Sequence, residues 1–263
     1  MTSTVPPVAE LLAPSHWRTV DCISDLHLQA SEPATFEAWQ RFMAETPADA
    51  IFILGDLFEV WVGDDAVDAE PAGFDAACVQ VMRDAALRRP VFFMHGNRDF
   101  LVGHSCLDAC GVGLLDDPTV LQFAGQRWLL SHGDALCLDD VDYLKFRAVV
   151  RSPQWQREFL AKPLAERQQI ARSIRSQSED RKRSGAVYAD VDTAAARAWL
   201  QAAQAPVLVH GHTHRPAEHD LGDSLQRWVL SDWDLAATPP RGEVLRLSAS
   251  GMQRLAVDGS GYL

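Results

Sequence analysis

The chain has 263 residues, 47% of them apolar, and a formal charge of −12 from 24 Lys and Arg against 36 Asp and Glu. That is enough apolar material for one large domain or two small ones, and too acidic a surface for general nucleic-acid binding, which needs cations facing phosphates. The five cysteines, Cys22, Cys78, Cys106, Cys110 and Cys137, are odd in number and lack a CxxC pair, so reduced thiols of a cytosolic protein are expected.

Residues 1–15 carry Pro6, Pro7 and Pro14 without a basic segment or a long apolar core, and read as a flexible lead-in rather than a secretory signal. No apolar run approaches the roughly 18 residues needed to span a bilayer. Trp17 to Ile23 reads as a first strand, followed by Ser24-Asp25-Leu26-His27. Phe36, Trp39, Phe42 and Met43 recur at helical spacing across Thr35 to Thr46, the apolar face of a helix lying on a sheet. Ala50 to Leu54 is continuously apolar, as in a strand covered on both faces, and ends at Gly55-Asp56. Phe58, Glu59, Trp61, Asp64 and Asp65 follow in an aromatic and acidic loop, with Asp64 and Asp65 read as a solvated turn.

A helix over Phe74 to Leu87 leads to a third strand, Pro90 to Met94, and to His95-Gly96-Asn97-Arg98-Asp99. His95 is expected to face away from that loop, and Asp99 to orient a neighbour. A short helix runs to Cys110. Ala124-Gly125-Gln126 between two apolar runs is a hairpin signal, and its second strand delivers His132. From Asp139 to Ala203 strand signals vanish. Four helical stretches, Val141 to Val150, Gln154 to Leu160, Ala165 to Gln177 and Asp192 to Ala203, are separated by Ser152-Pro153, Lys162-Pro163 and a polar basic tract. The expected organisation is therefore a sheet domain over 16–138 and 204–263 with a helical cap inserted at 139–203. Trp155, Phe159 and Leu160 are either cap core or a groove for apolar chains. Val207 to His210 returns to the sheet, followed by Gly211-His212-Thr213-His214, and late strands near Trp228, Glu243 and Gln253 suggest a second sheet.

Five strand ends thus carry Asp25, His27, Asp56, Asn97, His132, His212 and His214. Carboxylate, amide oxygen and imidazole without thiolate suit hard or borderline divalent cations. Two such cations a few ångströms apart need a bridging carboxylate, for which Asp56 is placed. The residues read as a two-metal phosphoesterase centre.

In the order DxH, GD, GNRD, H, GHxH, these motifs resemble the calcineurin-like metallophosphoesterase superfamily. The resemblance implies an α/β fold, an α-β-β-α sandwich with the helical cap inserted. It implies one ion on Asp25, His27, Asp56 and His214, and a second on Asp56, Asn97, His132 and His212. The blocks ISDLHLQ, ILGDLFEVWVGDD, HGNRDFLVG, LSHGDALCLDDVDYLKFR and VHGHTHRP resemble, more narrowly, the family that cleaves UDP-2,3-diacylglucosamine in lipid A biosynthesis. Arg98 stands where many superfamily members have a proton-donating histidine, and suits charge stabilisation instead. What this resemblance implies is hydrolysis of the pyrophosphate bond by metal-activated water at the α-phosphorus. Asp56, Asn97, Arg98 and His132 would be catalytic. Asn97, Arg98, Asp140, Ser178, Lys182 and His212 would contact substrate. Two divalent ions, Mn2+ in the family, would be the cofactors. A monomer held peripherally on the cytoplasmic face of the inner membrane, bound to a lipid-linked UDP-sugar and to no nucleic acid, completes the expectation. The alternatives are a superfamily hydrolase acting on a nucleotide or phosphoprotein, and a binding scaffold that lost the chemistry.

Overall fold

The computed structural model describes the backbone of residues 5–183 and 189–257, and the side chains of 5–174 and 189–257. In chain order the elements are β1 (Ala9–Leu12), β2 (Thr19–Ile23), α1 (Pro33–Glu45), β3 (Ala50–Leu54), α2 (Asp65–Ala69), α3 (Phe74–Ala86), β4 (Val91–Met94), α4 (His104–Cys110) and β5 (Gly113–Leu115). A hairpin of β6 (Thr119–Phe123) and β7 (Gln126–Ser131) turns through Ala124 and Gly125, both at positive φ. Four helices follow: α5 (Val141–Val150), α6 (Pro153–Leu160), α7 (Leu164–Arg183) and α8 (Thr193–Ala203). The chain closes with β8 (Val207–His210), β9 (Ala217–Gly222), β10 (Leu225–Val229), β11 (Glu243–Ser248) and β12 (Gly251–Ala256).

These strands form two six-stranded sheets, ordered β12-β11-β2-β3-β4-β5 and β1-β6-β7-β8-β10-β9. Strand alternation explains the layers. On β3, Phe52 and Leu54 point inward, where they meet Leu130, Val207 and Val209 of the facing sheet. Ile51 and Ile53 point outward against Trp39 and Phe42 of α1 and Met82 of α3. On the far side, Leu129 and Leu208 pack beneath Ala196, Trp199 and Leu200 of α8. The result is a helix-sheet-sheet-helix sandwich, with β3 buried at every position.

Three expectations shift. Within the 1–15 lead-in, Ala9–Leu12 is an edge strand, parallel to β6 with Ala9 opposite Thr119. Four residues are too short for alternation to betray a strand whose bonds go to distant partners. At the cap's far end, α8 is the outer layer of the second sheet, because its apolar face matches that sheet rather than the other cap helices. The late strands also divide: β9 and β10 extend the second sheet, while β11 runs antiparallel to β2 and carries β12 onto the first.

Of the other inserted helices, α6 and α7 pack on the first sheet's helical side. Trp155 stacks on Phe159 with centroids 4.7 Å apart, and both join that outer core. Arg167 of α7 is buried, pairing with Asp65 and bonding to the Val62 carbonyl. Asp65 and Asp64 are therefore not a free solvated turn. Asp64 accepts from Gly103 N at 2.9 Å, Ser105 Oγ at 2.8 Å, Cys106 N at 3.2 Å and Trp61 Nε1 at 3.0 Å, which caps α4 from across the chain.

Candidate metal centre

All seven expected ligands leave the carboxyl ends of β2, β3, β4, β7 and β8, the edge where open α/β sheets gather their sites. Five of them, Asp25, His27, Asp56, His212 and His214, adopt left-handed backbone with φ between 48° and 67°. Such conformations cost on the order of 1–3 kcal/mol each for residues with a Cβ. A fully buried Phe or Ile offsets roughly 1.5–3 kcal/mol, and Phe52, Ile51, Ile53, Phe93 and Ile23 are all buried behind these loops. The core is thus large enough to hold the loops in strained shapes.

Glycines make room. A Cβ on Gly96 would collide with the Asp56 carboxylate, and one on Gly211 with the Asp25 carboxylate. Asp25 accepts from His212 N through both oxygens, at 3.0 and 2.9 Å, and from Ser24 Oγ at 2.5 Å. Arg98 N donates to Asp56 Oδ1 at 2.8 Å. Asp99 accepts from Gly96 N and Leu57 N, each at 2.8 Å, and so ties the Asp56 loop to the Asn97 loop. His95 turns away and bonds Val102 O at 2.7 Å.

Two groups of donors converge. His27 Nε2 and His214 Nε2 are 3.2 Å apart, and His214 Nε2 lies 3.4 Å from Asp25 Oδ1. Around Asn97 Oδ1, His132 Nε2 lies at 3.0 Å and His212 Nδ1 at 2.8 Å. Asp56 stands between, Oδ2 at 3.9 Å from His27 Nε2 and Oδ1 at 3.7 Å from His132 Nε2. His132 Nδ1–H donates to the Leu54 carbonyl at 2.9 Å, which aims Nε2 at the site. Lone pairs this close repel one another unless a proton or a metal cation lies among them. The set is imidazole, carboxylate and amide oxygen, and Asp25, His27 and His214 form one group close enough to hold an ion while Asp25, Asp56 and His132 form another, so the residues fit divalent cations.

The titrations agree with a cation-seeking site. Burial pushes Asp25 up, but its bond to His214 and the charges of His214, His132 and His27 hold it well below the usual carboxylate range. Burial and the charge of His132 pull His212 down to about 4, keeping a neutral imidazole. Burial opposes charge on His132, yet Asp56, Asp134 and Asp25 lift it to about 9, so a metal ion bound there would take the place of a proton on Nε2. Asp99 is pushed up to about 7 by burial and by Asp56.

Arg98 is at this edge, its Nη1 3.5 Å from Glu59 Oε1. Asp140 caps α5, accepting from Tyr143 N at 3.1 Å. Ser178 and Lys182 lie outside the described side chains. Several neighbours escaped the sequence reading: Glu59 beside His27, Asp232 at 3.9 Å from His214 Nδ1, and the fully buried Asp134, which accepts from Tyr143 Oη at 2.5 Å and Arg147 Nε at 2.7 Å. Only the two-residue distance of Asp134 from His132 hinted at any of them.

The chain belongs to the calcineurin-like phosphoesterase family, whose model matches residues 18–216. Among its relatives, the UDP-2,3-diacylglucosamine hydrolase of Chromobacterium violaceum is 49% identical over 89% of this chain and 96% of its own. The protein of the same name from Bordetella pertussis is 46% identical over 88% of this chain and 92% of its own, and that from Ralstonia nicotianae 44% identical over 86% and 87%. Among the described residues no helix is long and apolar enough to cross a membrane.

Proposed function

We propose that the protein hydrolyses the pyrophosphate bond of UDP-2,3-diacylglucosamine, giving UMP and 2,3-diacylglucosamine 1-phosphate. The observation that carries the reading is the convergence of Asp25, His27, His214, Asn97, His132 and His212 about Asp56, together with relatives that bear this activity in their names. Two divalent cations, Mn2+ in this reading, supply Lewis acidity when bound: they acidify an attacking water and neutralise charge on phosphoryl oxygens.

The chain's own groups do the rest. Asp25, His27, Asp56 and His214 would hold one ion; Asp56, Asn97, His132 and His212 would hold the other. The Leu54 carbonyl keeps the proton of His132 on Nδ1. Arg98 presents a permanent cation to the pyrophosphate and stabilises charge rather than donating a proton. Asn97, Asp140, Ser178, Lys182 and His212 complete the substrate contacts, and α5 to α7 form a cap that selects the lipid. Exposed Val141, Phe146 and Val149 on α5 and Leu160 on α6 support contact with apolar chains. The same surface supports peripheral attachment of a cytoplasmic monomer to the inner membrane.

The test is release of UMP from diacylated and deacylated UDP-glucosamine with Mn2+ present. The expected result is chelator-sensitive turnover of the diacylated substrate alone, with 18O from labelled water recovered in UMP. Equal turnover of both substrates, or none of either, overturns the lipid assignment.

A further inference from the structure

Glu59 lies on the loop after β3, between the two loops that carry His27 and Arg98. Its backbone N–H donates to the carbonyl of Leu28, the residue after His27, at 3.2 Å. Two residues on, the Trp61 N–H donates to the Arg98 carbonyl, also at 3.2 Å. Leu28 and Phe58 form a parallel bridge beside it. The backbone of Glu59 is therefore registered against both neighbours before its side chain makes any contact.

That side chain is only 11% exposed and splits its two oxygens between them. Oε2 lies 3.0 Å from His27 Nδ1, in ion-pair reach though angled off the ring N–H direction. Oε1 lies 3.5 Å from Arg98 Nη1. The opposite ring nitrogen of His27, Nε2, is the one that faces Asp56 and His214. A carboxylate on the far nitrogen of a ligating histidine fixes the tautomer and raises the basicity of the ligating nitrogen.

We propose that Glu59 is a positioning residue that couples one cation site to the phosphate-facing arginine. It keeps the proton of His27 on Nδ1, so that Nε2 offers its lone pair to the ion, and with its other oxygen it holds the Arg98 guanidinium at the same edge. The proposal rests on the metal-hydrolase reading above, and extends it to a residue that touches neither ion nor substrate.

The experiment is calorimetric titration of Mn2+ into chelator-stripped wild type, Glu59→Ala and the near-isosteric Glu59→Gln, with the Tm of each metal-free protein recorded. In Glu59→Ala one of the two sites weakens about 10–100-fold while the other stays within about threefold, and the metal-free Tm holds. Glu59→Gln retains an acceptor oxygen without charge and falls between. KM for the nucleotide substrate rises in both variants, because Arg98 has lost its anchor. Unchanged binding at both sites overturns the proposal. So does equal weakening of both sites with a lowered metal-free Tm, which marks a general structural role. A wild type that takes up no Mn2+ overturns the metal reading itself, and is distinguishable from failure at Glu59 alone.

Discussion

The ring of Tyr143, on the first cap helix, lies stacked on the imidazole of His212, with centroids 6.0 Å apart and planes inclined by 28°. Its hydroxyl donates to Asp134, two residues beyond His132, and Arg147 one turn further along α5 donates to the same carboxylate. Cap and metal edge are thus joined through one buried acid. Tyr143→Phe keeps the stack and loses the hydroxyl bond to a charged acceptor, so a loss of about 1.5–3 kcal/mol is expected in denaturant unfolding. Tyr143→Ala additionally frees His212, and its KM should rise more than that of Tyr143→Phe.

Asp56 directs its two oxygens to different histidines, Oδ2 toward His27 and Oδ1 toward His132. Asp56→Asn keeps the shape and removes the shared charge. Bound metal, measured by atomic emission after dialysis, should fall from two ions toward one. The turnover number should drop at least ~10²–10³-fold, the size typical for loss of one electrostatic stabiliser.

Asp64 is a stability residue despite its place beside the catalytic loops. Asp64→Ala leaves the α4 N-terminus without its cap and Trp61 Nε1 without a partner. A loss of about 1–2 kcal/mol is expected, read as a Tm lower by roughly 2–8 °C. Turnover per folded molecule should be kept.

Asp190, on the segment leading into α8, pairs with the buried Arg227 at 2.8 Å, and that bond holds its carboxyl down to about 2 from an ordinary 3.8. A depressed folded-state acid adds stability that is full above the unfolded value and fades as pH falls through the folded one. The Tm gap between metal-free wild type and Asp190→Asn should therefore be widest near neutral pH. It should begin to close below about pH 4 and be small near pH 2. A gap that widens toward acid would refute the assignment.

The site was more legible in the sequence than its supports were. Asp25, His27, Asp56, Asn97, His132, His212 and His214 stood out because cation binding admits few side-chain types, and each followed an apolar strand. Glu59 did not stand out: its role depends on how closely two other loops approach it. Asp64 looked solvated because Gly103, whose amide it accepts at the start of α4, lies 39 residues later. The helix α8 was grouped with the cap because periodicity reports that a face is apolar, and says nothing of which sheet will cover it.

The sequence alone determined the alternation of strand and helix, the chemistry of the strand ends and the position of the helical block. Each of these is written in local patterns of burial and in residue types that a reaction demands. Only the tertiary structure decided that β11 returns to β2, that Ala9–Leu12 closes an edge, and that five ligands sit in left-handed backbone. It also decided that one carboxylate, Glu59, stands between His27 and Arg98. These relations depend on sheet order and loop approach between distant segments, where a few ångströms separate a metal support from a solvated acid.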